Sequence, residues 1–264
     1  MSAKNIFTIL FIADIVGDSG LAIFERLIRS VQEKVKADFT IVNGENLNKG
    51  KGIRENIANH LLQMNVDVIT SGNHIWDRRE SVAVLRKNSL VLRPINYPQG
   101  NPGSGSTILQ AKDNTKVGVI NAQGRIFMMP IEDPFRAVQE QVRKISRETK
   151  IIFVDFHAEA TAEKIALGWF LDGKVSAVIG THTHVQTADE RILPGGTAYL
   201  TDAGMTGPFD SVIGMKKEIA IHRFLYGTPR QYEVASENLK LNGVFIRINR
   251  ENGKAVAIER IQLP

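Results

Sequence analysis

Cysteine is absent from the 264-residue sequence, which excludes a disulfide framework and a thiolate metal site. Any bound metal must therefore be held by nitrogen and oxygen ligands. Long apolar runs are also lacking, since no stretch approaches the roughly 18 consecutive apolar residues of a membrane span. Basic residues exceed acidic ones only by 33 to 28, so the charge permits an anionic ligand without indicating nucleic-acid binding.

The apolar run Ile6–Ala13 has the length of a signal-peptide core and also that of a buried strand. Only one basic residue, Lys4, precedes the run, and no small-residue cleavage site follows it before Asp14. We therefore interpret the run as the first strand of a cytoplasmic protein.

Apolar runs of strand length alternate with amphipathic helical patterns along the first two thirds of the chain. The runs are Ile6–Ala13, Phe39–Val42, Val66–Thr70, Lys116–Asn121, Ile151–Asp155 and Val175–Ile179. The helical patterns are Leu21–Val35, Ile53–Met64, Phe135–Ile145 and Ala160–Leu171, with Ser19 as a cap of the first and Gly173 as the stop of the last. Unbroken apolar strands between amphipathic helices predict a layered α/β fold with a buried sheet.

The last third of the chain changes to short alternating segments. The turn sequences ENGK and LNGV predict antiparallel strands there. The Pro- and Gly-rich stretch 93–106 is interpreted as a loop rather than a domain linker, because strand patterns resume on both sides. Since no internal repeat is visible, we expect a single domain over residues 1–264.

Polar groups able to coordinate a cation follow five of the apolar runs. They are Asp14, Glu45, Asn46, Asn73, His74, His157, His182 and His184. Each one alone has an ordinary interpretation, such as a helix cap, a polar turn or a satisfied buried histidine. Their recurrence just past strand ends, where functional groups gather in α/β sheets, favours a metal site. His60 and His222 lie inside helical patterns and are expected to have no site role.

The pair His182 and His184 lies in the segment GTHTHVQT, directly after an apolar run. In isolation it could be two surface histidines in a loop or a pair of metal ligands. On an extended chain a spacing of two points both imidazoles to the same side, which favours ligands.

The candidate ligands outnumber the four of a closed tetrahedral site, which favours two ions. Two-metal sites hold their ions about 3.5–4 Å apart and need a bridging ligand. A carboxylate bridges well because its two oxygens can serve different ions, so Glu45 is favoured over Asn46. The mixed nitrogen and oxygen set suits Mn²⁺, Fe²⁺ or Zn²⁺.

The segments DIVG, NGEN, GNHIWD, DFHAEAT and GTHTHVQT, in that order, resemble the calcineurin-like metallophosphoesterases, and more narrowly the YmdB family of bacterial metallophosphoesterases. The resemblance covers nearly the whole chain. Val16 stands where the broad superfamily usually has the histidine of D-x-H, and Glu45 stands where it usually has a bridging aspartate; both departures are features of the YmdB group. The resemblance implies a calcineurin-like layered α/β/β/α sandwich with two mixed sheets flanked by helices.

The resemblance also implies a role for each candidate. The implied metal ligands are Asp14, Glu45, Asn73, His157, His182 and His184. Asp14 and His184 would hold the first ion, Glu45 would bridge, and the other three would complete the second ion. His74 would face the substrate as a general acid, and Asn46 would touch a phosphate oxygen. The H-x-H pair would therefore be split between the two ions.

The implied activity is that of a binuclear metal-dependent phosphodiesterase. Its substrates would be small phosphodiesters such as cyclic nucleotides, including 2′,3′-cyclic ones, attacked by a metal-bridging hydroxide. The alternative is a metal-containing RNA- or protein-binding regulator with slow or incidental turnover. An amidohydrolase is disfavoured because those enzymes typically carry H-x-H on the first strand. The expected partner is a nucleotide or another phosphodiester and not a membrane, with RNA binding and a homo-oligomer left open.

Two loops leave alternatives open. Residues 125–135, RIFMMPIEDPF, could form a lid over a nucleotide base, an oligomer contact or ordinary loop packing. Residues 203–214, AGMTGPFDSVIG, could border the phosphate through backbone N–H groups or form a long turn.

Overall fold

Thirteen strands and six α-helices form within residues 5–264, the part of the chain that this computed structural model describes. The strands are β1 Ile6–Ile12, β2 Asp14–Ile15, β3 Phe39–Asn43, β4 Val68–Thr70, β5 Ser106–Gln110, β6 Lys116–Gln123, β7 Ile152–His157, β8 Ala177–Thr181, β9 Arg191–Ile192, β10 Ala198–Leu200, β11 Met205–Pro208, β12 Leu239–Asn249 and β13 Ala255–Leu263. The helices are α1 Gly17–Val35, α2 Glu55–Gln63, α3 Arg79–Lys87, α4 Pro134–Ile145, α5 Thr161–Leu171 and α6 Lys217–Tyr226. A short 3-10 helix spans Asn73–Trp76.

The strands assemble into two mixed sheets. The first has the order β2-β11-β12-β1-β3-β4, with β13 paired to β12, and the second has the order β5-β6-β7-β8-β10-β9. Strands β1, β3 and β4 run parallel in the first sheet, as do β6, β7 and β8 in the second. Antiparallel neighbours such as β12 and β5 flank these parallel centres.

The inner faces of the two sheets pack against each other, and helices cover the outer faces. Phe11 and Phe153 meet between the sheets with ring centroids 5.2 Å apart. Helices α1, α2 and α3 pack on the first sheet, where Phe24 is buried, and α4 and α5 pack on the second, where Leu167 is buried. Each such side chain contributes about 1.5–3 kcal/mol when fully buried. The helix–sheet–sheet–helix order confirms the predicted layered sandwich.

The predicted elements coincide with observed ones over the first two thirds of the chain. Each of the six apolar runs overlaps a strand, and the four helical patterns overlap α1, α2, α4 and α5. Gly173, with a φ of 76°, follows the C-terminal cap of α5, which confirms the predicted stop. The predicted cap of α1 is wrong. Val16 is the N-cap, and Ser19 lies in the first turn, where its hydroxyl donates to the Ala235 carbonyl oxygen at 2.7 Å.

The two Asn-Gly signals in the last third have different outcomes. The segment ENGK forms the predicted turn between β12 and β13, with Gly253 at a φ of 73°. The segment LNGV lies inside β12, so the turn predicted there is wrong. A Cβ on Gly243 would collide with the Phe11 carbonyl oxygen, and glycine therefore allows β12 and β1 to approach closely.

Among the helices of the described residues, none is both long and apolar enough to cross a lipid bilayer. His60 and His222 lie on α2 and α6, as their helical patterns predicted.

Candidate metal centre

The candidate ligands meet where the carboxyl ends of the parallel strands of both sheets come together. His157 Nε2 lies 3.0 Å from Glu45 Oε1 and 3.1 Å from Asn73 Oδ1. The same nitrogen lies 3.0 Å from His182 Nδ1. One ligand atom each from Glu45, His157 and His182 lies within 4.8 Å of the others. This first cluster could hold a cation with nitrogen and oxygen ligands.

Asp14 and His184 form a second cluster beside the first. Asp14 Oδ2 lies 3.3 Å from His184 Nε2. The Asn46 side-chain nitrogen lies 3.2 Å from His184 Nε2 and 3.5 Å from Glu45 Oε1, so Asn46 and Glu45 lie between the clusters. Both carboxyl oxygens of Asp14 are buried and accept no hydrogen bond from the described residues. A buried carboxylate without donors is costly, and a cation at this position would satisfy it.

Two of the three histidines direct an outer ring N–H to an acceptor at the periphery of the centre. The His184 Nδ1 donates to the carbonyl oxygen of Ile213 at 2.8 Å. The His182 Nε2 lies 3.0 Å from Glu159 Oε2. Because a neutral imidazole carries only one N–H, the other nitrogen of each ring presents a lone pair to its cluster. These peripheral acceptors therefore fix the tautomer that binds a metal.

The ring of His157 is oriented by two successive hydrogen bonds. Its Nδ1 lies 2.9 Å from Thr181 Oγ1, and the Thr181 hydroxyl donates to Asp155 Oδ1 at 2.7 Å. The other Asp155 oxygen accepts from Asn43 Nδ2 at 3.0 Å and from Thr70 Oγ1 at 2.5 Å. Burial raises the pKa of Asp155 to about 7, and above that pH its carboxylate is an acceptor only. Thr181 must then accept from His157 Nδ1–H, so Nε2 is the ring nitrogen that is turned toward the first cluster.

Charge within the first cluster is balanced by its own members. Burial would raise the pKa of Glu45, but the ion pair with His157 outweighs it and holds this pKa at about 2. Burial also disfavours the charged form of His157, yet Glu45 raises the His157 pKa to about 9. Burial and the neighbouring His157 charge lower the pKa of His182 to about 3. One positive charge thus offsets the buried carboxylate, and a divalent cation held by these groups would replace that proton. The donor set and its charge therefore fit a metal.

The H-x-H segment does not have the extended conformation that its spacing predicted. Strand β8 ends at Thr181, and His182 and His184 have φ angles of 102° and 64°, in the left-handed region. Such strain is expected to persist only where surrounding contacts hold the backbone. Here Asp202 Oδ2 accepts hydrogen bonds from the intervening Thr183, through its N–H at 3.1 Å and its hydroxyl at 2.8 Å. Lys164 contacts the same oxygen at 2.6 Å. The twist places the two imidazoles in different clusters.

His74 lies at the rim of the first cluster with a side chain that is 30% exposed. Its backbone N–H donates to Glu45 Oε2 at 2.9 Å, and its Nδ1 lies 2.9 Å from Asp77 Oδ2. Lys51 Nζ donates to the same Asp77 oxygen at 2.7 Å. Burial would raise the pKa of Asp77, but the hydrogen bonds from Lys51 and His74 outweigh it and lower the pKa. Asp77 is therefore an ionised carboxylate that orients the His74 ring.

The structure brings every predicted site residue to this region, while sequence analysis missed several groups behind them. Asp155 had a detectable signal, because it is a charged residue in an apolar run two positions before His157 and so shares its face of β7. Gly72 is a second such group. A Cβ at this position would collide with the ring of His157, so glycine makes room for the imidazole. Thr181 and Asp77 had no sequence signal of their own.

Known proteins share this fold and much of this sequence. The sequence model of the YmdB-like protein family matches residues 10–261. A 2′,3′-cyclic-nucleotide 2′-phosphodiesterase of Bacillus subtilis (strain 168) is 49% identical over 253 residues, which cover 96% of each chain. The crystal structure of a phosphatase from Mycoplasma pneumoniae superposes with a TM-score of 0.92 at 36% identity, covering 98% of this chain and 94% of the other. A hypothetical protein from Thermus thermophilus gives a TM-score of 0.91 at 38% identity, covering 97% of this chain and 99% of the other. This chain belongs to the YmdB-like family.

Proposed function

We propose that this protein, a hydrolase of the phosphoesterase type, is a two-metal phosphodiesterase that hydrolyses small nucleotide diesters, including 2′,3′-cyclic nucleotides. The observation that carries the proposal is the paired centre, in which ring nitrogens of three histidines lie beside the buried carboxylates of Asp14 and Glu45. The name of the Bacillus subtilis relative supports the substrate class, at 49% identity over 96% of both chains.

The proposed ligands divide as the two clusters do. Asp14 and His184 would hold one ion, Asn73, His157 and His182 would hold the other, and Glu45 would be shared between the two. Mn²⁺ or Fe²⁺ suits this nitrogen and oxygen set, with Zn²⁺ as the alternative. When bound, the ions supply a water nucleophile of lowered pKa and neutralise phosphoryl charge.

The residues of the chain supply orientation and proton transfer. Asn46 carries an amide N–H₂ between the clusters, where it can donate to a phosphoryl oxygen. His74 is held by the Asp77 carboxylate through Nδ1–H, and in its imidazolium form it also carries Nε2–H, which can protonate a leaving alkoxide. Arranging the donor before the reaction avoids reorganisation during it.

The proposed reaction on a 2′,3′-cyclic nucleotide breaks one bond and forms one. A water oxygen bonds to phosphorus, and the bond from phosphorus to the 2′ oxygen breaks. The 2′ oxygen takes the proton of His74, and the products are a 2′-hydroxyl and a 3′-phosphate. The proton lost by the water restores the donor over the cycle, so atoms and charges balance.

Replacing Thr181 by valine is expected to weaken metal binding about 10- to 100-fold while preserving the fold. Valine keeps the shape of the buried side chain but removes the hydroxyl that joins His157 Nδ1 to Asp155. A chelator competition with Mn²⁺ measures the effect. Thr70→Val is the matched control, because Thr70 also donates to Asp155 but does not contact His157. Equal metal loss in the two variants would contradict this role of Thr181.

A paired substrate assay tests the function itself. Protein loaded with Mn²⁺ is expected to hydrolyse 2′,3′-cyclic AMP and bis-p-nitrophenyl phosphate faster than p-nitrophenyl phosphate, and elemental analysis of the same sample is expected to give close to two ions per chain. A preference for the monoester would reject the diesterase. Full activity without metal would reject the two-metal site. Bound metal without turnover on any diester would favour a regulator instead.

A further inference from the structure

A cavity lies beside the candidate metal centre and shares two residues with it. The cavity has a volume of about 480 Å³, within the range of roughly 300–1,000 Å³ that is typical of small-molecule sites. Asn73 and His182 form the side that faces the metal centre. Aromatic and thioether side chains form most of the remaining wall: Trp76, Tyr97, Phe127, Met128 and Met129. A molecule with one end at the metal centre can therefore extend directly into this cavity.

The inner wall is rigid and aromatic. The Trp76 and Tyr97 rings pack with centroids 5.1 Å apart and an interplanar angle of 51°. Tyr97 is buried, and its hydroxyl donates to Gln123 Oε1 at 3.0 Å. Trp76 belongs to the same 3-10 helix as Asn73, so the wall and a candidate metal ligand are held by one element.

The outer wall is the tip of the loop 125–131, which is anchored at its start. The carboxylate of Glu163 accepts hydrogen bonds from the backbone N–H groups of Arg125 at 3.1 Å and Ile126 at 3.3 Å. Phe127 follows this anchor with a φ of 60°, and its side chain is 88% exposed. An aromatic residue in the left-handed region is uncommon. Met129, two residues on, is 63% exposed, and a contiguous exposed apolar patch of this kind is typical of a contact site.

We propose that this cavity binds the nucleobase of the substrate, with the base stacked against Phe127 and the thioether of Met129; the assignment rests on the proposed phosphodiesterase activity. The flat face of a base matches a wall of aromatic rings and polarisable sulfur atoms. Beyond Asn73 and His182 on the metal side, only Asn101 and Asp77 among the lining residues are polar or charged and not aromatic, so stacking is expected to be the main source of binding. Stacking is tolerant of base identity, so purine and pyrimidine substrates are both expected to bind. Of the three interpretations of loop 125–135, the proposal favours a lid over a nucleotide base.

A substrate that lacks the base isolates this contact. We compare kcat/KM for 2′,3′-cyclic AMP with that for methyl ribofuranoside 2′,3′-cyclic phosphate, which keeps the sugar and the diester. In the Mn²⁺-loaded protein the base is expected to raise kcat/KM at least tenfold. Phe127→Ala is expected to bring this ratio at least about fivefold closer to one, mainly through KM, and Met129→Ala to change it less. The metal content of each variant is measured as well, to check that its metal centre is intact.

Phe224→Ala is the matched control, because Phe224 is 86% exposed on α6 and lies outside the cavity. It is expected to leave the ratio unchanged. Equal kcat/KM for the two cyclic substrates in the unmodified protein would overturn the base site. The base site is likewise overturned if Phe127→Ala lowers kcat/KM equally for the two cyclic substrates. It is also overturned if Phe127→Ala changes only the sedimentation behaviour, because the loop would then be a contact between chains. If neither substrate is turned over while metal is bound, the proposed function fails rather than the base site alone.

Discussion

Glu45→Gln is expected to lower kcat/KM on the order of a thousandfold and to remove bound metal. Glu45 is the buried carboxylate of the first cluster, and it also lies next to Asn46, which contacts His184 of the second. Glutamine keeps the size of the side chain and an oxygen for the backbone N–H of His74, so the local fold is preserved. It removes the negative charge, and its amide has only one oxygen with which to contact a cation. Loss of metal-based charge stabilisation amounts to several kcal/mol, or about three powers of ten.

The chain offers a close control for this substitution. Glu25 pairs with His60 at 2.7 Å, but both side chains are more than 40% exposed, whereas Glu45 and His157 are almost fully buried. Glu25→Gln therefore breaks a carboxylate–imidazole contact outside the centre, and it is expected to change neither metal content nor rate. Elemental analysis and kcat/KM for a 2′,3′-cyclic nucleotide are measured on the same samples. A Glu45→Gln protein that keeps both metal and activity would eliminate Glu45 as the bridging ligand.

The layered fold was predictable because its main strands are buried on both faces. Such strands read as unbroken apolar runs, and the helices between them show one apolar face each, so both signals survive in a single sequence. The turns in the last third of the chain have no comparable signal in the sequence. The two Asn-Gly pairs are alike locally, but only Gly253 lies at a turn, while Gly243 meets the Phe11 carbonyl oxygen across the sheet. That difference is set by a contact distant in sequence.

The candidate ligands were predictable for a related reason, since polar residues just past apolar strands stand out along the chain. The contacts that support them were not. Asp155 meets Asn43 and Thr70 at separations of 112 and 85 residues, and no local pattern encodes such pairs. The H-x-H backbone illustrates the limit most clearly. A spacing of two suggested an extended pair on one side, yet the hydrogen bonds from Thr183 to Asp202 hold a left-handed turn that separates the two rings.

His74→Asn is expected to lower kcat for a 2′,3′-cyclic nucleotide about 10²- to 10⁴-fold while leaving metal content intact. His74 touches Glu45 only through its backbone N–H, which asparagine retains, and its ring contacts Asp77 rather than the clusters. Removing the ring therefore removes a proton donor without removing a ligand. Loss of metal in this variant would instead make His74 a ligand. His60→Asn is the matched control, because it removes an imidazole from an exposed ion pair on α2.

Proton donation can be separated from positioning by changing the leaving group. A ribose alkoxide leaves poorly unless it is protonated, whereas p-nitrophenolate leaves readily as an anion. Loss of the general acid should therefore slow hydrolysis of the cyclic nucleotide far more than hydrolysis of the nitrophenyl ester. His74→Asn is thus expected to slow 2′,3′-cyclic AMP at least tenfold more than bis-p-nitrophenyl phosphate. Asp77→Asn is expected to show the same selectivity to a smaller degree, since it loosens the ring but leaves it in place. Equal losses on both substrates would mean that His74 orients the diester and does not protonate it.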